Sequence, residues 1–227
     1  MIDKDTLQNN EFPDICLTNE TLNPTLISPN QEFSISFYQT KETLQDPEIY
    51  RNFLKNAIGT FRRSATYTHY KAYLCNLGLD RCQMMGNINS EMATIEMHHN
   101  MLTIYDIAII ISEHILNTYG KISTFDLVEL LGQEHKNNRI QIVMLSLTAH
   151  QLYHNDDDFF IHPSMCIGDW TKFLELYQYG ITQDIAFKIL FYLKKAIELG
   201  GSDDNGLLNV RDRIIDWSDR NVQLFYR

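Results

Sequence analysis

Residues 139–154 read Arg-Ile-Gln-Ile-Val-Met-Leu-Ser-Leu-Thr-Ala-His150-Gln-Leu-Tyr-His154, and the fold turns on how this stretch is read. From Arg139 to Leu147 the residues alternate and are β-branched at several positions, which is the signature of a strand. The second half places His150 and His154 four residues apart. On a helix that spacing puts both imidazoles on one face, one turn apart, where they can bind the same divalent ion. A strand that runs straight into a helix carrying two ligands needs a third ligand from elsewhere.

The sequence offers one in Glu96-Met97-His98-His99. Between Cys82 and Asn100 turn residues flank short apolar stretches, as in an irregular hairpin strand, and this strand ends in the paired histidines. Neighbouring histidines on a strand point in different directions, so one can ligate a metal while the other accepts a proton from water. Metal-assisted hydrolysis of a phosphodiester requires both roles.

The order of these parts, a strand ending in Glu-x-His-His, a returning strand and a helix with HxxxH, resembles the HNH (ββα-metal, or His-Me finger) nuclease family. It is most similar to the DNase-colicin type, whose ligands are all histidines. Tyr105-Asp106-Ile107 after the histidine pair and Leu145-Ser146 before the HxxxH also look like a group of bacteriophage HNH-like proteins. The likeness covers roughly residues 60–180. It implies an α+β fold, a mainly helical domain around a ββα-metal hairpin-helix element. It makes His98, His150 and His154 the ligands of one divalent ion (Zn, Mg, Mn or Ni), and His99 the general base. Glu96 corresponds to the acidic residue that holds an arginine near the scissile phosphate, with Arg62 or Arg63 as that arginine. The amide that orients the base falls on Gln141, where the family usually has Asn; Asn138 is the nearest asparagine. The chain also departs from the family in carrying two helices between the paired strands.

Outward from this centre, Thr103 and Asp106 form a capping box for a helix that runs to Leu116 with Gly120 beyond, and a second helix follows from Thr124 to about Glu134. Apolar positions from Asp46 to Leu77 recur at helical spacing with an interruption near Gly59-Thr60, which predicts two helices, closed by Leu77-Gly78. Asp169 caps a helix to about Tyr179 and Thr182 another to about Leu199; residues 200–206 read as a linker before a last amphipathic helix. Phe33 to Tyr38 alternates as a short strand within an otherwise polar, acidic arm. The expected organisation is an arm over 1–47, the HNH-like helical domain over 48–200, and a linker with a C-terminal helix over 201–227.

Net charge is −10, which opposes a protein that coats nucleic acid. Residues 51–99 alone are basic, with Arg51, Lys55, Arg62, Arg63, Lys71 and Arg81 against Asp80, Glu91 and Glu96, so phosphate contacts are expected there. Cys16, Cys75, Cys82 and Cys166 form no CxxC pair, which argues for reduced, structural thiols. No apolar run is long enough for a membrane span, and the N-terminus has no leader-like segment, so the cytoplasm is the expected compartment, the host's if the chain is phage-encoded. Asp156-Asp157-Asp158 lacks the Gly and distal Glu of a calcium loop. His69, His114, His135 and His162 have no companion spacing and read as structural or exposed, although His135 and His162 are close enough in sequence to enter the site. Two functions remain: a metal-dependent DNA endonuclease, and a catalytically inactive HNH-like scaffold that engages a protein partner through the acidic arm or the C-terminal helices. DNA is the expected partner of the first, and a membrane of neither.

Overall fold

Capping chemistry sets most helix boundaries in the computed structural model, which describes residues 37–156, 159–200 and 205–225. Asp46 accepts from the backbone N–H of Glu48 and Ile49 and starts α1 (Pro47–Arg62), with Pro47 in the first turn where its missing donor costs nothing. Ser64 accepts from Tyr67 N–H and starts α2 (Ala65–Leu74). The break between these helices therefore lies at Arg63-Ser64, and Gly59 is an ordinary helical residue, contrary to the expected interruption there. A short π-type turn over Cys75–Leu79 is kinked at Gly78, whose φ of 84° suits glycine.

The predicted capping box is present. Thr103 and Asp106 bond reciprocally at the head of α3 (Ile104–Tyr119), and Gly120 closes it in the left-handed conformation. Ser123 and Asp126 repeat the device at α4 (Thr124–Lys136). The remaining helices are α5 (Leu147–Asn155), α6 (Trp170–Leu176), α7 (Gln183–Gly200) and α8 (Asn205–Phe225). The helix begun by Asp169 stops at Leu176 and passes into a 3-10 turn, Gln178–Gly180, that packs on α3. A Cβ on Gly180 would lie 1.8 Å from Ile110 O, so that close approach needs glycine.

Among the described residues the architecture is α+β and mostly helical, with two small antiparallel sheets. In one, β1 (Tyr38–Thr40) pairs with β3 (Lys121–Ser123); in the other, β2 (Ile95–His99) pairs with β4 (Ile142–Ser146). The expected strand over 33–38 overlaps β1 only at Tyr38; residues 33–36, with most of the acidic arm, lie outside the described residues. So do Asp157, Asp158 and residues 201–204 of the expected linker.

β4 is buried along its whole length. Its free edge is closed by two segments that are not strands: Ile167 exchanges backbone bonds with Ile142 at 2.8 and 3.0 Å, and Gln83 bonds Met144 through its own N–H and its side-chain oxygen. This enclosure explains the unbroken apolar run Ile142-Val-Met-Leu145. The core around it includes Phe61, Ile107, Ile110, Ile111, Leu131 and Phe173. Among the described residues no helix is long and apolar enough to cross a membrane.

Candidate metal centre

Strand parity decides which histidine faces what. With His98 opposite Val143 and His99 opposite Ile142, Glu96, His98 and Asn100 project to one face of the β2–β4 pair and Met97 and His99 to the other. Ser146 ends β4 and at the same time caps α5 by accepting from Ala149 N–H at 3.3 Å, so the helix follows the strand with no intervening residue. α5 packs on β2 and β4 and turns His150 and His154 toward His98.

Each of these three histidines offers a ring nitrogen, and these nitrogens all lie within 4.8 Å of one another. The Nε2 atoms of His150 and His154 are 3.0 Å apart. Two imidazole ligands at 2.0–2.1 Å from a tetrahedral ion stand about 3.3 Å apart, so the His150–His154 pair is near ligand spacing, and His98 would have to draw closer to complete a set. His98 packs edge-on against the rings of His150, Tyr153 and His154, with centroids at 4.7, 4.5 and 5.4 Å. Its Nε2 is buried and has no hydrogen-bond partner. Burial, and then the neighbouring His150 and His154, push the His98 pKa down to about 4. At neutral pH the ring is uncharged and keeps a lone pair for an ion.

Glu96 stands behind this set. Its carboxylate accepts from His150 Nδ1, a close contact that leaves the His150 Nε2 lone pair directed at the cluster. The family resemblance implies an arginine as the partner of Glu96; the structure places His150, a candidate ligand, there instead. Carboxylates in this position fix the tautomer and raise the basicity of the imidazole. If the three histidines hold an ion, Glu96→Ala is expected to weaken zinc binding by roughly 10- to 100-fold without unfolding the protein. Competition with a chromophoric chelator measures this, and unchanged affinity would show that the carboxylate does not support the site.

His99 lies on the other face. Its Nε2 meets His135 Nε2 of α4 at 2.9 Å, and His135 Nδ1 lies 2.6 Å from Leu131 O. Phe61, Tyr67 and Tyr70 surround His135, which is fully buried. Burial holds the His135 pKa down to about 4. The His99 pKa is driven well down, first by burial and then by His135, His98 and Arg62. Arg62, exposed at the end of α1, is thus close enough to be felt by His99; Arg63 follows as the C-cap, its guanidinium folded back near Gly59.

Gln141 is not brought to His99. Opposite Asn100 in the register, it lies on the His98 face, buried beside the Tyr192 hydroxyl. Asn138 occupies a turn at φ 51° and accepts from the Tyr70 hydroxyl. His135 takes the place next to His99 that was expected of an amide. No local spacing in the sequence signals this contact, because the two histidines are 36 residues apart.

A pH dependence follows for the metal-free protein. The unfolded His135 titrates near 6.5 and the folded one near 4, so on acidification the unfolded state takes up the proton first. This contribution is complete above pH 6.5 and is lost between 6.5 and 4, on the order of 3 kcal/mol. Urea melts at pH 7 and pH 4.5 should show the midpoint falling with acid. A His135→Gln variant should lose less of its midpoint over this range than the wild type, the rest of the fall coming from the other buried histidines, His98 and His99 among them; an equal fall in both would show that His135 does not contribute.

A family model described as Bacteriophage G278-like virion protein matches residues 1–221. No curated protein and no solved structure matches the chain.

Proposed function

Given that this chain belongs to the bacteriophage G278-like virion protein family, we propose that it is a phage metal-dependent DNA endonuclease of HNH type, hydrolysing phosphodiesters with one divalent ion. The observation that carries this reading is the convergence of His98, His150 and His154, with Glu96 behind His150. On this reading β2, β4 and α5 are the ββα-metal element, and α3, β3 and α4 are an insertion between its strands. Three protein ligands leave a coordination position open, as in catalytic sites, whereas closed four-ligand sites are structural. The ion, when bound, polarises the phosphodiester and neutralises charge on the leaving oxygen.

The chain's own residues do the rest. His99 accepts the proton of the attacking water on the ring nitrogen that His135 leaves unoccupied. Arg62 holds the phosphate beside His99, with Arg63 adding contact from the same helix end. The basic surface that binds the DNA backbone extends from this point over residues 51–99.

The test is nicking of supercoiled plasmid with magnesium, manganese, nickel and zinc supplied separately, and with chelated protein as the baseline. Metal-dependent nicking by the wild type and none by His98→Ala supports the reading. A wild type that binds an ion but is inert with every metal refutes it. In the same assay series, Arg62→Ala with Arg63→Ala should weaken DNA binding and flatten its salt dependence by up to about two in slope, one for each lost phosphate contact. Binding by fluorescence anisotropy across a salt series measures that slope. An unaltered slope would remove both arginines from the interface.

A second reading, the catalytically inactive scaffold, is favoured by one observation. His99 faces away from the three-histidine set and is tied to the core through His135. The apolar side chains of Phe187 and Phe191, exposed one turn apart on α7, mark where a protein partner would sit.

A further inference from the structure

We infer that His135 is a positioning residue that holds His99 in a single tautomer, with the proton on Nε2 and the Nδ1 lone pair free. The inference rests on the reading of His99 as the general base for its functional meaning, though not for its geometry.

The argument is one of proton counting along a chain of three contacts. Leu131 O can only accept, so the 2.6 Å contact requires His135 to carry a proton on Nδ1. A neutral His135 then has a lone pair, and no proton, on Nε2. His135 is fully buried among the rings of Phe61, Tyr67 and Tyr70, a setting that disfavours the imidazolium. The 2.9 Å contact between the two Nε2 atoms needs one proton, and it must come from His99. His99 is thereby left with Nδ1 unprotonated, and among the described residues nothing hydrogen-bonds that atom. A free histidine samples both tautomers, and a base whose lone pair sits on the wrong nitrogen cannot take the proton.

The position of His135 makes it suited to this task. It lies in the last turn of α4, and its own helix supplies the acceptor four residues back. The contact to His99 therefore couples the strand carrying the site to a rigid helix in the core. Gln141, the amide at the position the family resemblance would use, lies on the opposite face and is not available to His99.

The experiment is a two-bond proton–nitrogen correlation spectrum of the full chain labelled at histidine nitrogens, recorded at neutral pH, with the His99 signals assigned by their loss in His99→Gln. The wild type is expected to show a pyrrole-like Nε2 and a pyridine-like Nδ1 for His99, and the reverse for His135. In His135→Phe, which keeps a ring of similar size but offers no acceptor, the His99 nitrogens should move toward the averaged values of mixed tautomers. His135→Gln, whose side-chain oxygen can accept, should restore the Nε2–H pattern. A proton on His99 Nδ1 in the wild type overturns the inference whether or not either variant folds, and so does an unchanged His99 pattern in a folded His135→Phe. The nicking assay is read separately. If the wild type nicks DNA, His135→Phe should lower kcat by roughly 10- to 100-fold with KM unchanged, and His135→Gln should recover part of it. A His135→Phe that nicks at the wild-type rate would overturn the positioning role. An inert wild type with the expected nitrogen pattern would refute the nuclease reading and leave the tautomer assignment standing.

Discussion

If the chain is the proposed nuclease, His99→Ala is expected to leave it binding one divalent ion while its nicking rate falls by roughly 10² to 10⁴, the usual contribution of general-base assistance. The separation follows from strand parity. The three candidate ligands lie on one face of the β2–β4 pair or on α5 above it, and His99 lies on the other face. Removing its ring takes no nitrogen from the ion. His98→Ala, by contrast, removes a ligand and should lower metal affinity and cleavage together. Metal stoichiometry by mass spectrometry under native conditions, run beside the nicking assay, distinguishes the two. If His99→Ala loses the ion, His99 is itself a ligand; if it nicks as fast as the wild type, another group is the base.

The largest effect on stability is expected at Gly168. Its φ is 101°, and a Cβ there would lie 2.0 Å from Ile140 O. Both flanking residues are tied down: Ile167 pairs with Ile142 of the strand that carries the site, and Asp169 N–H donates to Asn138 O, in the turn ahead of that strand, at 2.7 Å. An alanine would have to leave the left-handed region and push apart two backbone segments at once. Backbone strain of about 1–3 kcal/mol and overpacking of similar size give about 2 to 6 kcal/mol, a large fraction of the 5–15 kcal/mol that keeps a domain folded. Gly86→Ala is the control, since a Cβ there meets nothing within 4 Å and its φ is not positive. Urea denaturation should therefore show Gly168→Ala unfolded or strongly destabilised and Gly86→Ala within about 0.5 kcal/mol of the wild type. Equal stabilities would mean that the segment after Ile167 can move without disturbing β4.

Where local chemistry fixed a boundary, it could be read from the sequence. Thr103 with Asp106, Gly120 after α3, and Asp169 before α6 are cap residues whose side chains or backbone freedom act within one turn, and each stands where expected. The HxxxH on a short helix after a strand was legible for the same reason, since the spacing of His150 and His154 is a property of α5 alone. Gly59 misled because a glycine within a buried amphipathic helix is tolerated when Phe53, Leu54, Ala57, Ile58 and Phe61 fix the helix through packing. Contacts between distant elements were less accessible. The family resemblance puts Gln141 next to His99 as the orienting amide, but the register puts it on the other face, and one residue of register reverses every side chain. Glu96 and His150 meet across 54 residues and His99 and His135 across 36, and nothing in either neighbourhood announces the partner.

The most direct test of the proposed site is a crystal structure of the protein grown with zinc, with anomalous difference density recorded above and below the zinc edge. The account predicts one peak within about 2.0–2.1 Å of ring nitrogens from His98, His150 and His154, with the Glu96 carboxylate on the far nitrogen of His150 and one coordination position open. Full occupancy of an ion elsewhere, with these three histidines unligated, would contradict it.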